Sequence, residues 1–471
     1  MSWLGAAMFV VAMAVMVATG LPIYAVLLGT TAVFAALGVA IGAFAWPILG
    51  ALPSRVVGLL EHDLLQAMPL YALIGALLNR LPVAAQLHAA GTRLFARCGA
   101  ASQLSALGVG ALLAPMNGSV GASLYTLSRR IAPRLAGQGI APAETAATLC
   151  VASTLGIVIP PSLVLLLLGD AMMRAHTEAV NASHAAVQIV NTQDIVRAAL
   201  LPGLAVFATA LAIAAWRGRG RTPPAPTALK RGEWIEATVV ALVIVALLGS
   251  VAAGRLYAVE AAATGAVSLF AWAVVSRRLD RSALRAVLAD AMTLTGLLMA
   301  LLVAATSFSL VLRAFGTDAL VASGLDALAP RPALLAGTVV LIFVGCSFVL
   351  DAFEMIFLVV PLVMPPVLVA VPDAAWVAAI TLLVLQAGFL MPPFGYAVVM
   401  SRRLLATPPS LTDLARALAP HLVAQALVVA ALVAWPSLAH LGHAPVSAAP
   451  SLSEQDIERL MNEASRSNPK P

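Results

Sequence analysis

One apolar stretch of this chain is long enough to cross a bilayer, yet it is interrupted near its middle. The run from Thr145 to Leu168 contains Gly156 and the pair Pro160-Pro161. A proline inside a helix removes a backbone hydrogen bond and clashes with the preceding turn, so the stretch is predicted to be a broken helix. In hydrocarbon the freed backbone groups need partners, and such breaks are tolerated only where they face protein, water or a ligand.

A related stretch occurs late in the chain. The segment Gln386–Phe394 again places a glycine, Gly388, four residues before a proline pair, Pro392-Pro393. Two broken spans in corresponding positions of two halves indicate the binding site of a secondary transporter. The sequence therefore predicts a transporter that is built from two related halves.

The composition places the chain in a membrane. Of its 471 residues, 61% are hydrophobic and 10% are charged, whereas about a quarter are charged in an ordinary soluble domain. The apolar runs have helix length and show no alternation of period two, which excludes an outer-membrane barrel. The net charge of +6 comes from basic residues in short loops, so it indicates membrane topology and no nucleic-acid binding. The three cysteines, Cys98, Cys150 and Cys346, lack metal-ligand spacing and are predicted to be free buried thiols.

Ten apolar segments are predicted to cross the lipid bilayer, which makes the fold an all-α polytopic membrane protein. Their approximate bounds are Trp3–Thr19, Pro22–Ala45, Leu64–Leu78, Thr145–Leu168, Ala198–Trp216, Trp234–Ala253, Leu256–Val275, Met292–Leu312, Ala374–Met400 and Leu414–Trp435. The first is interpreted as a retained span and not as a signal peptide, because no positive region precedes it. Two further apolar regions, 98–128 and 332–372, do not fit a single span.

The first of these regions is predicted to be a re-entrant hairpin. Arginines flank it on both sides, and its 31 residues are too few for two crossings of about 20 residues each. A single crossing would place an arginine cluster on each side of the membrane. A hairpin that enters and leaves on the cytoplasmic face, with its tip at Asn117-Gly118-Ser119, satisfies both constraints.

An orientation fixed from this hairpin places 18 of the 27 basic residues inside, in accord with the positive-inside rule. They are Arg80, Arg93, Arg97, Arg129, Arg130, Arg134, Arg217, Arg219, Arg221, Lys230, Arg231, Arg277, Arg278, Arg281, Arg285, Arg402, Arg403 and Arg416. Both chain termini and the acidic loop Asp170–Asp194 then lie outside.

The second region is predicted to be a hairpin that enters from the outer face, because its flanks are poor in basic residues. Its tip lies near Gly345–Asp351. The distance from Gly118 to Pro160 is 42 residues, and that from Leu350 to Pro392 is also 42. The chain therefore repeats a hairpin followed by a broken helix in opposite orientations, which is an inverted repeat.

The predicted repeat divides the chain into four parts. Residues 1–216 form the first half and residues 234–440 the second, each with scaffold spans, one hairpin and one broken helix. Residues 217–233 form a cytoplasmic linker, and residues 441–471 form a polar tail with a short helix at Glu454–Asn462. The stretch Glu61-His62-Asp63 is interpreted as part of an interfacial amphipathic helix and not as a metal site.

The hairpin tips and the breaks carry the predicted site. A helix N-terminus after the first tip offers unpaired N–H groups and suits an anion, whereas the carbonyls freed at the breaks suit a hard cation such as Na⁺. The predicted substrate-binding residues are Asn117, Ser119, Ser162, Glu354 and Pro393. The predicted Na⁺-site residues are Gly118, Ser153, Thr154, Gly156, Gly345, Asp351, Gln386 and Gly388. We expect Gly156 to face the first tip and Gly388 to face Leu350-Asp351, with the substrate passing between the two pairs.

Structural interpretations of the same residues remain open. The sequence Asn-Gly-Ser forms turns in any protein, and the hydroxyls of Ser153 and Thr154 could bond back to a carbonyl one turn earlier. The acids Asp351 and Glu354 share a helix face if their segment is helical, where one would order the site or bind a cation. They could instead reach water from a shallow hairpin. Three further residues could hydrogen-bond between helices without touching substrate, namely Asn79, Gln386 and Tyr396.

At these residues the chain resembles a known family, the large permease subunit of tripartite ATP-independent periplasmic (TRAP) transporters. The segment Gly156–Asp170, and Leu350-Asp351 followed by Glu354 and Pro361-Leu362, are similar to its mannitol or chloroaromatic branch. The resemblance covers nearly the whole chain. The first tip departs from the family, because much of the family has a Gly-Ser-Ser cluster where this chain has Ala114–Ala122.

The resemblance implies an elevator-type secondary transporter in the bacterial inner membrane, with Na⁺ as coupling ion and no other cofactor. A DctP-like periplasmic solute-binding protein would deliver a small organic anion, and a separate DctQ-like small membrane subunit would brace the scaffold. One alternative is a stand-alone Na⁺-coupled organic anion symporter of similar inverted-repeat fold. Another is an intramembrane enzyme that uses Asp351 with His62, but the sequence offers no paired catalytic motif, so no enzyme is predicted.

Overall fold

The computed structural model describes residues 2–60, 63–183, 190–223, 230–328 and 330–441. Within these ranges the regular elements are helices, and no strand is present. The predictions for Glu61, for His62 and for a helix at Glu454–Asn462 lie outside the described residues, as do the middle of the linker and nearly all of the C-terminal tail.

Eleven α-helices make up the first half. They are α1 (Ser2–Thr19), α2 (Ile23–Ala40), α3 (Leu52–Leu60), α4 (Ala67–Arg80), α5 (Val83–Leu94), α6 (Ala101–Leu113), α7 (Val120–Arg130), α8 (Ala132–Gly137), α9 (Pro142–Val158), α10 (Leu163–Ser183) and α11 (Thr192–Arg217). Short 3₁₀ turns cover Trp46–Ala51, Asp63–Gln66 and Pro115–Asn117.

Ten α-helices follow in the second half. They are α12 (Arg231–Ala252), α13 (Ala258–Val275), α14 (Arg281–Ala314), α15 (Thr317–Asp326), α16 (Pro332–Cys346), α17 (Ala352–Glu354), α18 (Val360–Ala370), α19 (Ala374–Leu390), α20 (Tyr396–Leu404) and α21 (Leu411–Ala434). A π-helical turn, Met355–Val359, joins α17 to α18, and a 3₁₀ turn covers Pro436–Ala439.

The all-α membrane fold is confirmed. Eight of the described helices are long and apolar enough to cross a membrane, and two bent pairs raise the number to ten. Three elements differ from the prediction. α10 continues to Ser183 and so includes much of the predicted loop Asp170–Asp194, and two further elements contain additional helix. α5 follows α4 after a bend of 68°, and α14 has 34 residues, which span about 51 Å at 1.5 Å per residue. Both additions contain charged or polar residues, so a search for uninterrupted apolar runs misses them.

Each region that is predicted to be a hairpin contains two successive helical segments, and the re-entrant course of both stays a prediction. In the first, α6 and α7 are joined through Gly118, whose φ of +66° lies in the left-handed region that glycine adopts without steric strain. In the second, α16 is followed by a stretch that runs through α17 to α18, and this stretch, Ala352–Ala370, is by itself long and apolar enough to cross a membrane.

A broken helix follows each hairpin. α9 and α10 meet at an angle of 41° across Pro160-Pro161, and α19 and α20 are separated at Pro392-Pro393. Both Pro-Pro bonds are cis. The described chain thus contains the same series of elements twice, as the equal 42-residue spacings predict. The opposite orientation of the two halves stays a prediction.

The packing brings the first hairpin and both broken helices together. α6 and α7 pack against α9, and α20 packs against both α7 and α9. α14 packs along α2 and α4, and α10 packs against α18. Cys150 in α9 donates a hydrogen bond from its thiol to the Ala397 carbonyl in α20, 3.3 Å away. All three cysteines are free, as predicted, but the prediction that they are buried holds only for Cys150, since Cys98 is exposed and Cys346 is half-buried.

Candidate functional site

A small cavity lies between the tip of the first hairpin and the break after α9. Its volume is about 10 Å³, which is roughly the room that one water molecule needs. Gly118 and Ser119 line it from the tip, and Ser153, Gly156 and Ser162 line it from the broken helix. Five residues that the sequence assigned to the Na⁺ or substrate site therefore meet in one place.

The break frees backbone carbonyls beside this cavity. Because the N–H of residue i bonds to the carbonyl of residue i−4 in an α-helix, Pro160 and Pro161 deprive the carbonyls of Gly156 and Ile157 of that partner. The Ser162 hydroxyl donates to the Ile157 carbonyl at 3.5 Å and accepts the Leu165 N–H at 3.2 Å. Oxygen atoms of this kind are the ligands that hard cations take.

The side chains of the neighbouring residues Ser153 and Thr154 have different surroundings. Both hydroxyls donate to a carbonyl one turn earlier, Ser153 to Cys150 at 2.9 Å and Thr154 to Val151 at 3.0 Å. Ser153 lines the small cavity, whereas Thr154 is buried outside its lining. The back-bonding interpretation is therefore confirmed for both residues, and only Ser153 is also placed to contact an ion in this cavity.

Close approach of two backbones gives the small cavity its size. A Cβ atom at Gly156 would lie 2.5 Å from the carbonyl carbon and oxygen of Ala114, closer than real Cβ atoms come. Along the same contact, Gly110 of α6 lies against the backbone of Ala152 in α9. Small residues allow membrane helices to approach in this way. The prediction that Gly156 faces the first hairpin tip is confirmed.

A larger cavity adjoins the same tip. Its volume is about 380 Å³, within the range of about 300–1,000 Å³ that is typical of small-molecule sites. Asn117 and Ser119 line it together with Asn79 of α4 and Tyr396 of α20, so Ser119 borders both cavities. The Tyr396 hydroxyl lies close to Gly121, at the start of α7.

Asn117 is held in place by its own hairpin. Its amide Nδ2 donates to Ser123 Oγ at 3.0 Å, and Ser123 Oγ donates to the Ser119 carbonyl at 3.0 Å. The amide oxygen of Asn117 is buried and has no hydrogen-bond partner among the described residues. The turn-forming interpretation is therefore confirmed, and it leaves one buried acceptor beside the site.

The first turn of α7 also faces the larger cavity, through Gly121 and Ala122. The first N–H groups of a helix lack intrahelical partners and carry the positive end of its dipole. Such a terminus is a natural seat for a carboxylate or a similar anion. The structure thus places an anion-favouring element and an oxygen-lined, water-sized cavity on two sides of one tip.

In the second hairpin, the two acids form a helix cap. Asp351 Oδ1 accepts the N–H groups of Phe353 at 2.8 Å and Glu354 at 3.2 Å, and Glu354 Oε2 accepts the Asp351 N–H at 2.6 Å. This reciprocal arrangement is a capping box. Glu354 is buried, so the alternative in which both acids simply reach water is wrong for Glu354.

Three predicted Na⁺-site residues of the second half have local contacts of their own, and for one of them, Gly388, the predicted neighbour is wrong. Gln386 directs its amide oxygen to Gln425 of α21, whose Nε2 donates to it at 2.9 Å. Gly345 is exposed, and its carbonyl accepts the N–H of Ser347 within its own hairpin. Gly388 lies against the side chain of Ser347 and not against Leu350-Asp351.

At the second break the glycine carbonyl keeps a local hydrogen-bond donor. The Gly388 carbonyl accepts the Met391 N–H at 3.3 Å although Pro392 cannot donate to it. Pro393, which the sequence assigned to substrate binding, is exposed in the break between α19 and α20. The role of these second-half residues in ion or substrate binding stays a prediction.

A third cavity, of about 370 Å³, contains charged residues that the sequence did not single out for the site. It is lined by Arg55, Asp170, Arg174, Glu178 and Arg313. Arg313 of α14 donates to both Glu178 carboxylate oxygens at 2.8 and 3.0 Å, and to the Pro361 carbonyl at 3.1 Å. Arg174 pairs with Asp170. All five charged residues belong to segments that the sequence places on the outer side, and the structure brings them together in one cavity.

Comparison with known proteins gives the family. The sequence model described as "Tripartite ATP-independent periplasmic transporter, DctM component" matches residues 10–438. The chain belongs to this family. The match spans both hairpins and both broken helices, and it confirms the predicted TRAP large permease subunit in a multi-pass membrane protein.

One curated relative of this DctM-family permease is the C4-dicarboxylate TRAP transporter large permease protein DctM of Pseudomonas aeruginosa. It is 26% identical over 342 residues, which are 71% of this chain and 76% of that protein.

Two solved structures share the fold. The Alcanivorax borkumensis YdaH transporter has a TM-score of 0.50 at 15% identity and covers 82% of this chain and 87% of its own. Neisseria gonorrhoeae MtrF, described within a class of antimetabolite efflux pumps, has a TM-score of 0.55 at 12% identity and covers 83% of each chain. At these identities the likeness concerns the fold alone.

Proposed function

We propose that this DctM-family permease imports a small organic anion, a carboxylate or a sulfonate, across the bacterial inner membrane by Na⁺-coupled secondary transport. The observation that carries the proposal is the pair of cavities that share Ser119. One is water-sized and is bordered by three serines and by the broken helix with its freed carbonyls, and the other is large enough for a small molecule and lies at a helix N-terminus.

In this proposal, Na⁺ occupies the small cavity. Its ligands are drawn from the Ser153 and Ser162 hydroxyls and from the carbonyls that the proline pair frees, those of Gly156 and Ile157. The cation lies on one side of the tip and the anion on the other, so each favours binding of the other through space and through the shared residue Ser119. Such mutual stabilisation is what couples two ligands in one transport step.

The anion occupies the larger cavity in contact with the first turn of α7. The hydroxyls of Ser119 and Tyr396 and the Asn79 amide are polar groups that could orient it. The name of the Pseudomonas aeruginosa relative specifies a C4-dicarboxylate, and this supports a dicarboxylate as the first substrate to try here.

We further propose that the two hairpins and the two broken helices move as one block against the other spans, in an elevator-type cycle. α14 supports this division because it lines the larger cavity with Asp290, Leu294 and Leu297, and the outer cavity with residues from Leu302 to Arg313. On α14, the two cavities are separated by about one helical turn, which contains the buried residues Leu298 and Leu301. Movement of the hairpin tip along α14 would expose the site alternately to each side.

A DctP-like periplasmic solute-binding protein and a DctQ-like small membrane subunit are the partners that membership of the TRAP family supports. The proposal is tested by reconstituting the permease with both partners in liposomes. We expect uptake of the binding protein's ligand with an inward Na⁺ gradient, and none with K⁺ in place of Na⁺ or without the binding protein.

The controls separate the parts of this proposal. Uptake that is equal in K⁺ and Na⁺ would remove the coupling to Na⁺. Uptake without the binding protein would favour the stand-alone symporter instead. A matched liposome sample that carries the small subunit alone gives the background rate.

A further inference from the structure

A fourth cavity gathers four arginines from separate parts of the chain. Its volume is about 620 Å³, and it lies among the ends of α4 and α7, the segment after α13, and the first half of α14. The charged residues that line it are Arg80, Arg129, Arg130, Arg278 and Asp290. With four positive charges against one negative charge, this cavity favours an anion.

Two of the four arginines, Arg129 and Arg130, make no ion pair in their hydrogen bonds. Arg80 pairs with Asp290 at 3.0 Å, and Arg278 pairs with Glu236 of α12 at 2.7 Å. Arg129 donates to the Tyr125 hydroxyl at 2.7 Å, and Arg130 donates to the Arg80 carbonyl at 3.4 Å. The partners of Arg129 and Arg130 in these bonds are neutral, so their positive charges are not offset by those contacts.

This cavity adjoins the proposed substrate cavity. Asn79, Tyr125 and Asp290 line both of them. All four arginines belong to the set that the sequence places on the cytoplasmic side. The positive-inside rule accounts for the presence of arginines on that side, but it does not require arginines from three separate parts of the chain to converge on the cavity that borders the hairpin tip.

We propose that this arginine-lined cavity is a binding site for a carboxylate dianion on the cytoplasmic side, where the anion is held as it leaves the hairpin tip. Arginine suits this task because its planar donors match the two oxygens of a carboxylate. Arg129 and Arg130 provide the main attraction, and the Asp290 carboxylate, by pairing with Arg80, limits the affinity so that the anion departs. The direction of passage rests on the proposed import function, whereas anion binding to the cavity does not.

The test measures binding of succinate to the full-length permease in nanodiscs of phosphatidylcholine, by saturation-transfer NMR. Neither Na⁺ nor the partner proteins are needed, so the result is independent of the uptake assay. We expect the wild type to bind succinate and not the neutral analogue succinamide. The double substitution Arg129→Gln with Arg130→Gln is expected to weaken succinate binding about tenfold, the scale of a lost charge-assisted hydrogen bond.

Two further variants keep the result interpretable. Arg281→Gln with Arg285→Gln removes the same charge from the same predicted face. Both residues are exposed and do not line this cavity, although Ala283 between them does, so we expect the affinity to stay within about twofold because exposed charges are screened by water and salt. Arg129→Lys with Arg130→Lys keeps the charge and loses the planar donors, so we expect an intermediate loss of about threefold. The lysine variant decides the question if the glutamine variant does not fold.

Several results would overturn the proposal. These are equal binding of succinate and succinamide, wild-type affinity in both the glutamine and the lysine variants, or an equal loss in the Arg281 and Arg285 control. In nanodiscs that contain phosphatidylglycerol, displacement of succinate by the lipid would show a headgroup site instead. Persistence of succinate binding in those nanodiscs supports a site for the soluble anion.

Discussion

The substitution Gly156→Ala tests whether close packing at the broken helix creates the proposed Na⁺ site. The added methyl group would lie 2.5 Å from two backbone atoms of Ala114. These atoms cannot rotate away, so α9 and the hairpin tip must separate by about 1 Å to reach ordinary contact. Overpacking of this kind costs about 1–3 kcal/mol, and the higher helix propensity of alanine returns about 0.5–1 kcal/mol. The net expectation is a loss of stability of about 0.5–2 kcal/mol.

The assay is thermal unfolding of the purified permease in NaCl and in KCl at equal ionic strength. A ligand that binds only the folded state stabilises it by RT ln(1 + [L]/Kd), which is about 1.4 kcal/mol at ten times Kd. We expect the wild type to unfold at a higher temperature in NaCl. Gly156→Ala is expected to unfold earlier in KCl and to lose the Na⁺-specific increase, because a displacement of about 1 Å disrupts a cavity of about 10 Å³.

Gly108→Ala is the matched control. Gly108 lies in α6 of the same hairpin, and a Cβ atom there would meet no heavy atom of the described residues within 4 Å. This variant is expected to be as stable as the wild type or more stable by up to about 1 kcal/mol, and to keep the Na⁺-specific increase. A Gly156→Ala protein that keeps the full Na⁺-specific increase would refute the assignment of Na⁺ to this cavity.

Three other substitutions give distinct expectations. Asparagine caps helices about as well as aspartate, so Asp351→Asn is expected to keep the unfolding temperature. We expect the loss of the charge to lower uptake. Uptake at the wild-type rate would show that Asp351 acts only as a helix cap. Gln425→Leu leaves the buried amide oxygen of Gln386 without its donor and is expected to cost about 1–3 kcal/mol in thermal unfolding, while the Na⁺ dependence of uptake stays unchanged. Tyr396→Phe removes a hydroxyl from the larger cavity and is expected to raise the half-saturating substrate concentration by up to about tenfold. The half-saturating Na⁺ concentration is expected to stay unchanged. A change in the Na⁺ value alone would contradict the assignment of substrate to the larger cavity and of Na⁺ to the small one.

The sequence predicts the first half of the site well because its signals are local. A proline pair inside an apolar run predicts a broken helix. Arginines on both flanks of an apolar region that is too short for two crossings predict a hairpin. These rules placed Gly118, Ser119, Ser153, Gly156 and Ser162 at a tip and a break, and the structure brings the five together. The equal 42-residue spacings then give the repeated order of elements.

The second half is predicted less well because its contacts are either too distant or ambiguous. Gln386 accepts a hydrogen bond from Gln425, 39 residues later in the chain. No local sequence pattern predicts a contact at this separation. The spacing of Asp351 and Glu354 fits a cation site and a capping box equally, and the structure shows the capping box. Spacing alone does not distinguish them, because both arrangements need two acids at the start of one helix.

The larger cavities depend on tertiary packing that periodicity does not reveal. Asp290 lies in the charged extension of α14, before the apolar run that begins near Met292. The convergence of Arg80, Arg129 and Arg278 depends on three separate helix ends meeting beside α14. Sequence patterns gave the side of the membrane for these arginines, but only the folded chain shows that they share a cavity.

The most direct test of Na⁺ binding at the broken helix compares two neighbouring hydroxyls. Ser153→Ala and Thr154→Val each remove one buried hydroxyl that bonds back to its own helix, but only Ser153 lines the small cavity. The measurement is the initial rate of uptake by reconstituted permease and partners as a function of Na⁺ concentration. We predict that Ser153→Ala raises the half-saturating Na⁺ concentration about tenfold, while Thr154→Val changes it by less than about twofold. Unchanged Na⁺ dependence in Ser153→Ala, or an equal shift in both variants, would contradict the account.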